Sequence, residues 1–198
     1  MSVLNQSILS TAQSLPEGGI LSPKEFLHLG SRAAVDQAFS RLSKEGTVVR
    51  IGRGMYVSPI KGRFGKRLPS TEAIVRKIEA TSGEPVVSNG AASANALGLT
   101  TQVPVQEIFL TSGRQRTLNL GSRPVHLKHA PRWQTILGNR PAGQAIRAMA
   151  WLGPEHIRST VKLLELQLPT TEWQALHGVR AQLPSWLAQA VSEVGCDA

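Results

Sequence analysis

The sequence predicts an α+β chain, and three observations predict it. Apolar residues recur at helical spacing through the first 45 residues. Two β-rich runs then meet at the glycine-containing turn of "RIGRGMY", residues 50–56. Farther on, three alternating segments between 107 and 129 give way to helical patterns that continue to 194. A hydrophobic fraction of 41% against 18% charged residues is enough to bury a core over 198 residues.

The first helix is expected over 2–15, where Leu4, Ile8, Ala12 and Leu15 share a face before "PEGGI" stops it. "SPKE" at 22–25 reads as a helix start, with Ser22 as cap, Pro23 in the first turn and Glu25 closing a capping box. Ser31 starts the next helix, which runs to Lys44 with Ala34, Val35, Ala38, Phe39 and Leu42 inward; Gly46 ends it. "TVVRI" and "MYVSP", joined by "GRG", form a β-hairpin. Helix, helix, tight turn, helix, hairpin is the order of a winged helix-turn-helix, in which the third helix enters the major groove and the hairpin lies against the backbone. The expected organisation is a winged helix-turn-helix domain over 1–60, a basic linker over 61–69, and a small α+β domain with a helical C-terminus over 70–198.

In that second domain "STEAIVRKIEA" is a capped helix, "PVVS" a short buried strand and "NGAASANALG" a small-residue helix that packs closely. "EIFLTSG", "RTLNLG" and "RPVHLKH" make an antiparallel sheet. Helices follow near 141–152, 154–168, 170–178 and 184–194, bounded by Pro154, Pro169 and Pro184. In the last of these, Trp186, Leu187, Ala190, Val191 and Val194 share a face, for docking on the domain or on a partner.

Charge narrows the function. The net charge is +9, and residues 44–67 hold seven basic residues against Glu45 alone. A focused excess of this kind suits a polyanionic partner, nucleic acid or an anionic membrane surface, and the winged-helix order points to double-stranded DNA. On the third helix Arg32 and Gln37 are placed to read bases, with Ser40 and Arg41 a turn on and Lys44 toward phosphate. Arg50 and Arg53 arm the hairpin, and Lys61, Arg63, Lys66 and Arg67 can track phosphates. For each, an ordinary solvated surface role stands beside the DNA contact. Arg114, Arg116, Arg123, Lys128 and Arg132 form a second candidate basic patch, for DNA or for an acidic protein surface.

"RLSKEGTVVRIGRGMYVSP" resembles the end of the winged-helix domain of the AbiEi-type antitoxins of abortive-infection toxin–antitoxin systems. The stretch from "STEAIVRKIEA" to "HLKHAPR" is similar to the body of the same family, most tellingly "SANALGLTTQVP" at 93–104 followed by "EIFLTSG". The resemblance covers most of 20–152 and is to a compact branch. It implies a transcriptional repressor that binds inverted repeats in its own promoter. It also implies an antitoxin acting against a nucleotidyltransferase-like toxin encoded beside it. The alternative is a non-enzymatic interaction module that neutralises an acidic partner, with DNA binding incidental.

Catalytic and metal motifs are not expected. The five histidines, His28, His126, His129, His156 and His177, form no metal-ligand pair on one helix face, and His126 and His129 point to opposite faces of a strand. "TSGRQR" lacks the glycine and lysine spacing of a phosphate-binding loop. No cofactor, metal or catalytic residue is therefore assigned, and the protein is not expected to be an enzyme. Cys196 alone builds no disulfide within the chain. The N-terminus has no basic leader with an apolar run, and no stretch approaches the ~20 apolar residues of a membrane span. The cytoplasm is the expected location, with no membrane partner.

Overall fold

A computed structural model describes residues 3–63, 65–121 and 123–194. Cys196 lies outside the described residues. The chain is mixed α+β, with nine α-helices and several small sheets among those residues. It divides into two compact units: 1–84 with 116–126, and 85–115 with 127–198. The division differs from the expected break at 61–69, which falls inside the first unit.

In the first unit, α1 (Val3–Ser14) buries Ile8 and Ala12. A 3-10 turn at Pro23–Phe26 follows. Its capping box forms as the sequence requires: Lys24 N–H donates to Ser22 Oγ at 3.4 Å, and Ser22 N–H to Glu25 Oε2 at 3.4 Å. α2 (Arg32–Lys44) starts where Ser31 Oγ accepts the Ala34 N–H at 3.3 Å. Its inward face carries Val35, Ala38, Phe39 and Leu42. These pack with Ile8, Ala12, Leu21, Phe26, Val48 and Tyr56. Phe39 sits at the centre, its ring 5.6 Å from Phe26 and 4.6 Å from Tyr56; burying one such ring stabilises by about 2–3 kcal/mol. Gly46, at φ +66°, turns the chain so that Thr47 N–H reaches back to the Leu42 carbonyl.

β2 (Val49–Gly52) and β3 (Met55–Val57) pair antiparallel, joined by Arg53 and Gly54. β1 (Ile20–Leu21) lies on the free edge of β3, giving the order β1-β3-β2. A two-residue strand has no periodicity to detect, and "PEGGI" reads only as a stop. Residues 61–69, expected as a linker, instead contribute to a second hairpin, β4 (Ile60–Gly62) with β5 (Gly65–Arg67). The two glycines closing that turn are what a linker and a hairpin have in common in sequence. α3 (Thr71–Ser82) is capped by Ser70 and buries Ile74, Val75 and Ile78. β8 (Arg116–Leu120) and the first part of β9 (Arg123–His129) complete the unit, and Leu118 is fully buried.

In the second unit, β6 (Val86–Ser88) pairs antiparallel with β7 (Glu107–Thr111). α4 (Gly90–Ala96) is capped by Asn89, whose Oδ1 accepts the Ala92 N–H at 2.8 Å. Four further helices, α6 (Pro141–Leu152), α7 (Ile157–Gln167), α8 (Thr170–Val179) and α9 (Ser185–Glu193), surround one core. Met149, Leu164, Trp173, Leu176 and Leu187 lie in it. A short α5 (Arg132–Thr135), not expected from the sequence, precedes them. α9 buries Leu187, Ala190 and Val191, with Trp186 and Val194 packed at the margin, so this face docks on its own unit. α4 approaches α6 closely: a Cβ on Gly90 would lie 2.5 Å from Trp151 Cβ.

That close contact surrounds a charge. Arg147 of α6 is 1% exposed. Its Nε donates to Ser93 Oγ at 3.3 Å, and Nη1 to the carbonyls of Gln134 at 3.1 Å and Gly138 at 2.9 Å. Burial lowers its pKa from the ordinary guanidinium value to about 10. Among the described residues no helix is long and apolar enough to cross a membrane.

Candidate nucleic-acid interface

The outward face of α2 and the β2–β3 hairpin enclose one open groove of about 480 Å³. Five of the sequence-selected residues line it: Arg32, Ser40, Lys44, Arg50 and Arg53. The helix supplies its part through the i, i+4 row 32–36–40–44, which the burial of Val35, Ala38, Phe39 and Leu42 turns outward. The hairpin supplies its part because Arg53 and Gly54 form the tip, and Gly54 takes φ +70°.

The charges in this groove are lightly held. Arg32 Nε donates to Asp36 Oδ2 at 2.8 Å, with both side chains about half exposed (57% and 50%). An exposed pair of this kind contributes only ~0.3–0.5 kcal/mol, so Arg32 can exchange Asp36 for another acceptor. Arg50 Nε donates to the Gly52 carbonyl at 3.3 Å, which braces the hairpin behind its tip. Lys44 ends α2, where a cation also complements the helix dipole. The assembled groove is polar, cationic on both walls, and offers guanidinium donors that suit phosphate or base edges.

Gln37 and Arg41 are exposed on α2 but belong to the neighbouring row and do not line the groove. Lys61, Arg63, Lys66 and Arg67 also lie apart from it. Lys61 and Lys66 face a different groove of about 670 Å³, whose apolar wall includes Leu9 and Leu15. Lys61 and Lys66 are register partners on β4 and β5. Lys66 Nζ donates to the Gly46 carbonyl at 3.2 Å. Arg67 pairs with Glu17 at 3.2 Å, and Arg63 is exposed at the hairpin turn.

The second patch is divided between the units. Arg116 and Arg123 fall in the first, Arg114, Lys128 and Arg132 in the second. Arg116 is half-buried and paired with Glu84 at 3.6 Å. Arg114, Lys128 and Arg132 are exposed. Arg123 begins β9.

Sequence reasoning missed Pro23, Asp36, Ser43, Gly54 and Tyr56 as groove residues. Asp36 had a signal, its i+4 spacing from Arg32. Tyr56 had none, since its ring packs on Phe39 and only its position beside the tip brings it to the groove.

His126 and His129 are engaged separately. His126 Nδ1 lies 3.2 Å from Thr117 Oγ1, and His129 Nδ1–H donates to the Gly113 carbonyl at 3.0 Å. Among the described residues no group of three or more His, Cys, Asp or Glu side chains could hold a metal.

No curated protein matches the sequence. Among solved structures the chain is similar to the RV2827C protein from Mycobacterium tuberculosis, at 14% identity and a TM-score of 0.47, over 96% of this chain and 78% of that one. Residues 7–167 match a family whose span reaches into both units and takes in the whole groove, and the chain belongs to that family, the family of unknown function DUF6088.

Proposed function

We propose that the protein is a DNA-binding transcriptional repressor of the winged helix-turn-helix type that doubles as the antitoxin of a toxin–antitoxin operon. One observation carries the DNA half: a single open groove is walled by the polar row of a helix on one side and a basic hairpin tip on the other. In this reading α2 is the recognition helix, β2–β3 is the wing, and the 3-10 turn with α1 completes the module. Arg32 reads a base edge once Asp36 releases it, and Ser40 stands one turn on. Lys44, Arg50 and Arg53 meet phosphates, which fix register without carrying sequence. Gln37 and Arg41 extend the contact along the next row of α2. Lys61, Arg63 and Lys66 add salt-dependent affinity from the second hairpin.

The antitoxin half rests on the resemblance of residues 93–113 to the AbiEi-type family. It calls for a nucleotidyltransferase-like partner encoded next to this protein, and for inverted repeats in the shared promoter.

A gel shift tests the DNA half. Specific binding to the promoter of its own operon is expected to exceed binding to random duplex by about 1,000-fold or more at ~150 mM salt. Equal affinity for both duplexes overturns the repressor reading. Co-purification with the neighbouring gene product in the absence of DNA tests the antitoxin half. Should that association occur while specific DNA binding fails, the protein is the interaction module that neutralises a partner.

A further inference from the structure

The hairpin that walls the groove has a second pocket behind it. Consecutive strand residues face opposite sides. Tyr56 lines the groove, Met55 lines a pocket of about 350 Å³, and Gly54 borders both. The hairpin tip is therefore the partition between them. The volume falls at the small end of small-molecule sites, ~300–1,000 Å³.

The pocket has a polarity of its own. Leu15, Ile20, Met55 and Ile78 give it an apolar floor. Lys77 and Arg116, both half-buried, line it from α3 and β8. Among the described residues the Lys77 ammonium has no ion-pair or hydrogen-bond partner. Arg116 holds Glu84 only at 3.6 Å, and its Nε is buried without a partner. Among the described residues Glu25 is the one carboxylate on the lining, and its Oε2 accepts the Ser22 N–H at 3.4 Å. Two cations above an apolar floor, neither closely paired, leave an acceptor to be supplied from outside. Ser82 and Thr81 stand at the rim with further hydroxyl groups.

We propose that this pocket binds a small organic anion, a carboxylate on an apolar body of one or two rings, and that occupancy shifts the hairpin tip and so tunes the grip on DNA. The apolar body covers Leu15, Ile20, Met55 and Ile78, and the carboxylate lies between Lys77 and Arg116. The pocket stands independently of the DNA reading; the tuning rests on it.

Calorimetry on the full chain at neutral pH, with 1-naphthoate as probe and neutral 1-naphthamide as control, tests the pocket. Saturable one-to-one binding of naphthoate is expected, weakened about tenfold in the amide, in Lys77→Ala and in Arg116→Ala. Thr81→Trp, at the exposed rim, is expected to block binding without removing a charge or a core residue. Absence of saturable binding, or binding indifferent to the probe's charge and to all three variants, overturns the site. The tuning is read from promoter-duplex affinity with and without saturating naphthoate. A change of about fivefold or more is expected, lost in Thr81→Trp. An unchanged affinity in protein that binds both ligands overturns the tuning but neither the pocket nor the DNA reading. Failure to bind the duplex at all overturns the DNA reading and the tuning together, while the calorimetric result for the pocket stands.

Discussion

The groove between α2 and the β2–β3 hairpin and the contact between α4 and α6 both depend on arginine, and they use it in opposite ways. In the groove Arg32, Arg50 and Arg53 are exposed, and the hydrogen bonds of Arg32 and Arg50 are local and exchangeable. Between α4 and α6, Arg147 is sealed and spends three donors on Ser93 Oγ and two backbone carbonyls. A buried guanidinium carries a desolvation cost that its fixed partners must offset, so its removal damages the fold. An exposed guanidinium carries almost none, so its removal damages only what it binds. The comparison separates structural charge from interaction charge within one chain.

The largest effect is expected at the sealed site. Arg147→Leu strips the Gln134 and Gly138 carbonyls and Ser93 of their donor, and is expected to destabilise by about 3 kcal/mol. Gly90→Ala is expected to cost a similar amount, because its Cβ would meet Trp151 Cβ and the Arg147 carbonyl. Denaturant melts check both. A loss under about 0.5 kcal/mol at Arg147 would put it in the same class as a surface arginine and break the comparison.

Next in size is Arg53→Ala. Affinity for the promoter duplex is expected to fall about tenfold, and the salt slope to shrink by about 1, with the denaturation midpoint unchanged. If the midpoint falls and the slope holds, the hairpin tip is structural too.

The two sites also differ in how they were legible. The groove could be read ahead because capping residues, inward apolar stripes and glycine turns are local signals. Ser31, Phe39 and Gly54 set α2 and the hairpin without help from distant residues. Arg147 could not be read, because its burial depends on Gly90 and Ser93, more than 50 positions away. In sequence it is one more cation within "GQAIRAMAW". The same limit hid β1, whose two residues exist as strand only through pairing with β3. It hid the β4–β5 hairpin as well, where Gly62 and Gly65 read equally as a flexible linker. Lys61 and Lys66 face each other across that hairpin, an arrangement of like charges that weakens an isolated pair of strands.

Asp36→Ala sharpens the comparison with a smaller effect of opposite sign. Removing this acid from a cationic groove frees Arg32 and reduces repulsion of phosphate. Affinity for random duplex is expected to rise about two- to threefold, an energy typical of an exposed charge pair. Discrimination in favour of the promoter is expected to change little, because Arg32 leaves Asp36 before it reads a base. Weaker binding to random DNA would instead give Asp36 a direct role in reading a base.

The smallest effect is a test of an acid on the sealed side. Glu172 of α8 is only 12% exposed. Its Oε1 accepts from Arg140 Nη2 at 2.8 Å and its Oε2 from the Ala142 N–H at 2.9 Å, at the start of α6. Those hydrogen bonds, the one from Arg140 foremost, hold its carboxyl below the ordinary value of 4.5. A folded-state pKa below the unfolded one gives stability that is present above about pH 4.5 and is lost as pH falls through the folded value. Glu172→Gln keeps the shape and one acceptor but removes the titration. Its melting temperature is therefore expected to lie slightly below that of the parent at neutral pH, and the two curves to converge as pH drops below 4.5. Parallel curves across that window would mean that the contact at the start of α6 contributes no charge-dependent stability. The helix end would then behave like the exposed groove, held by exchangeable contacts, and Arg147 would be left as the one charge in the comparison that is built into the fold.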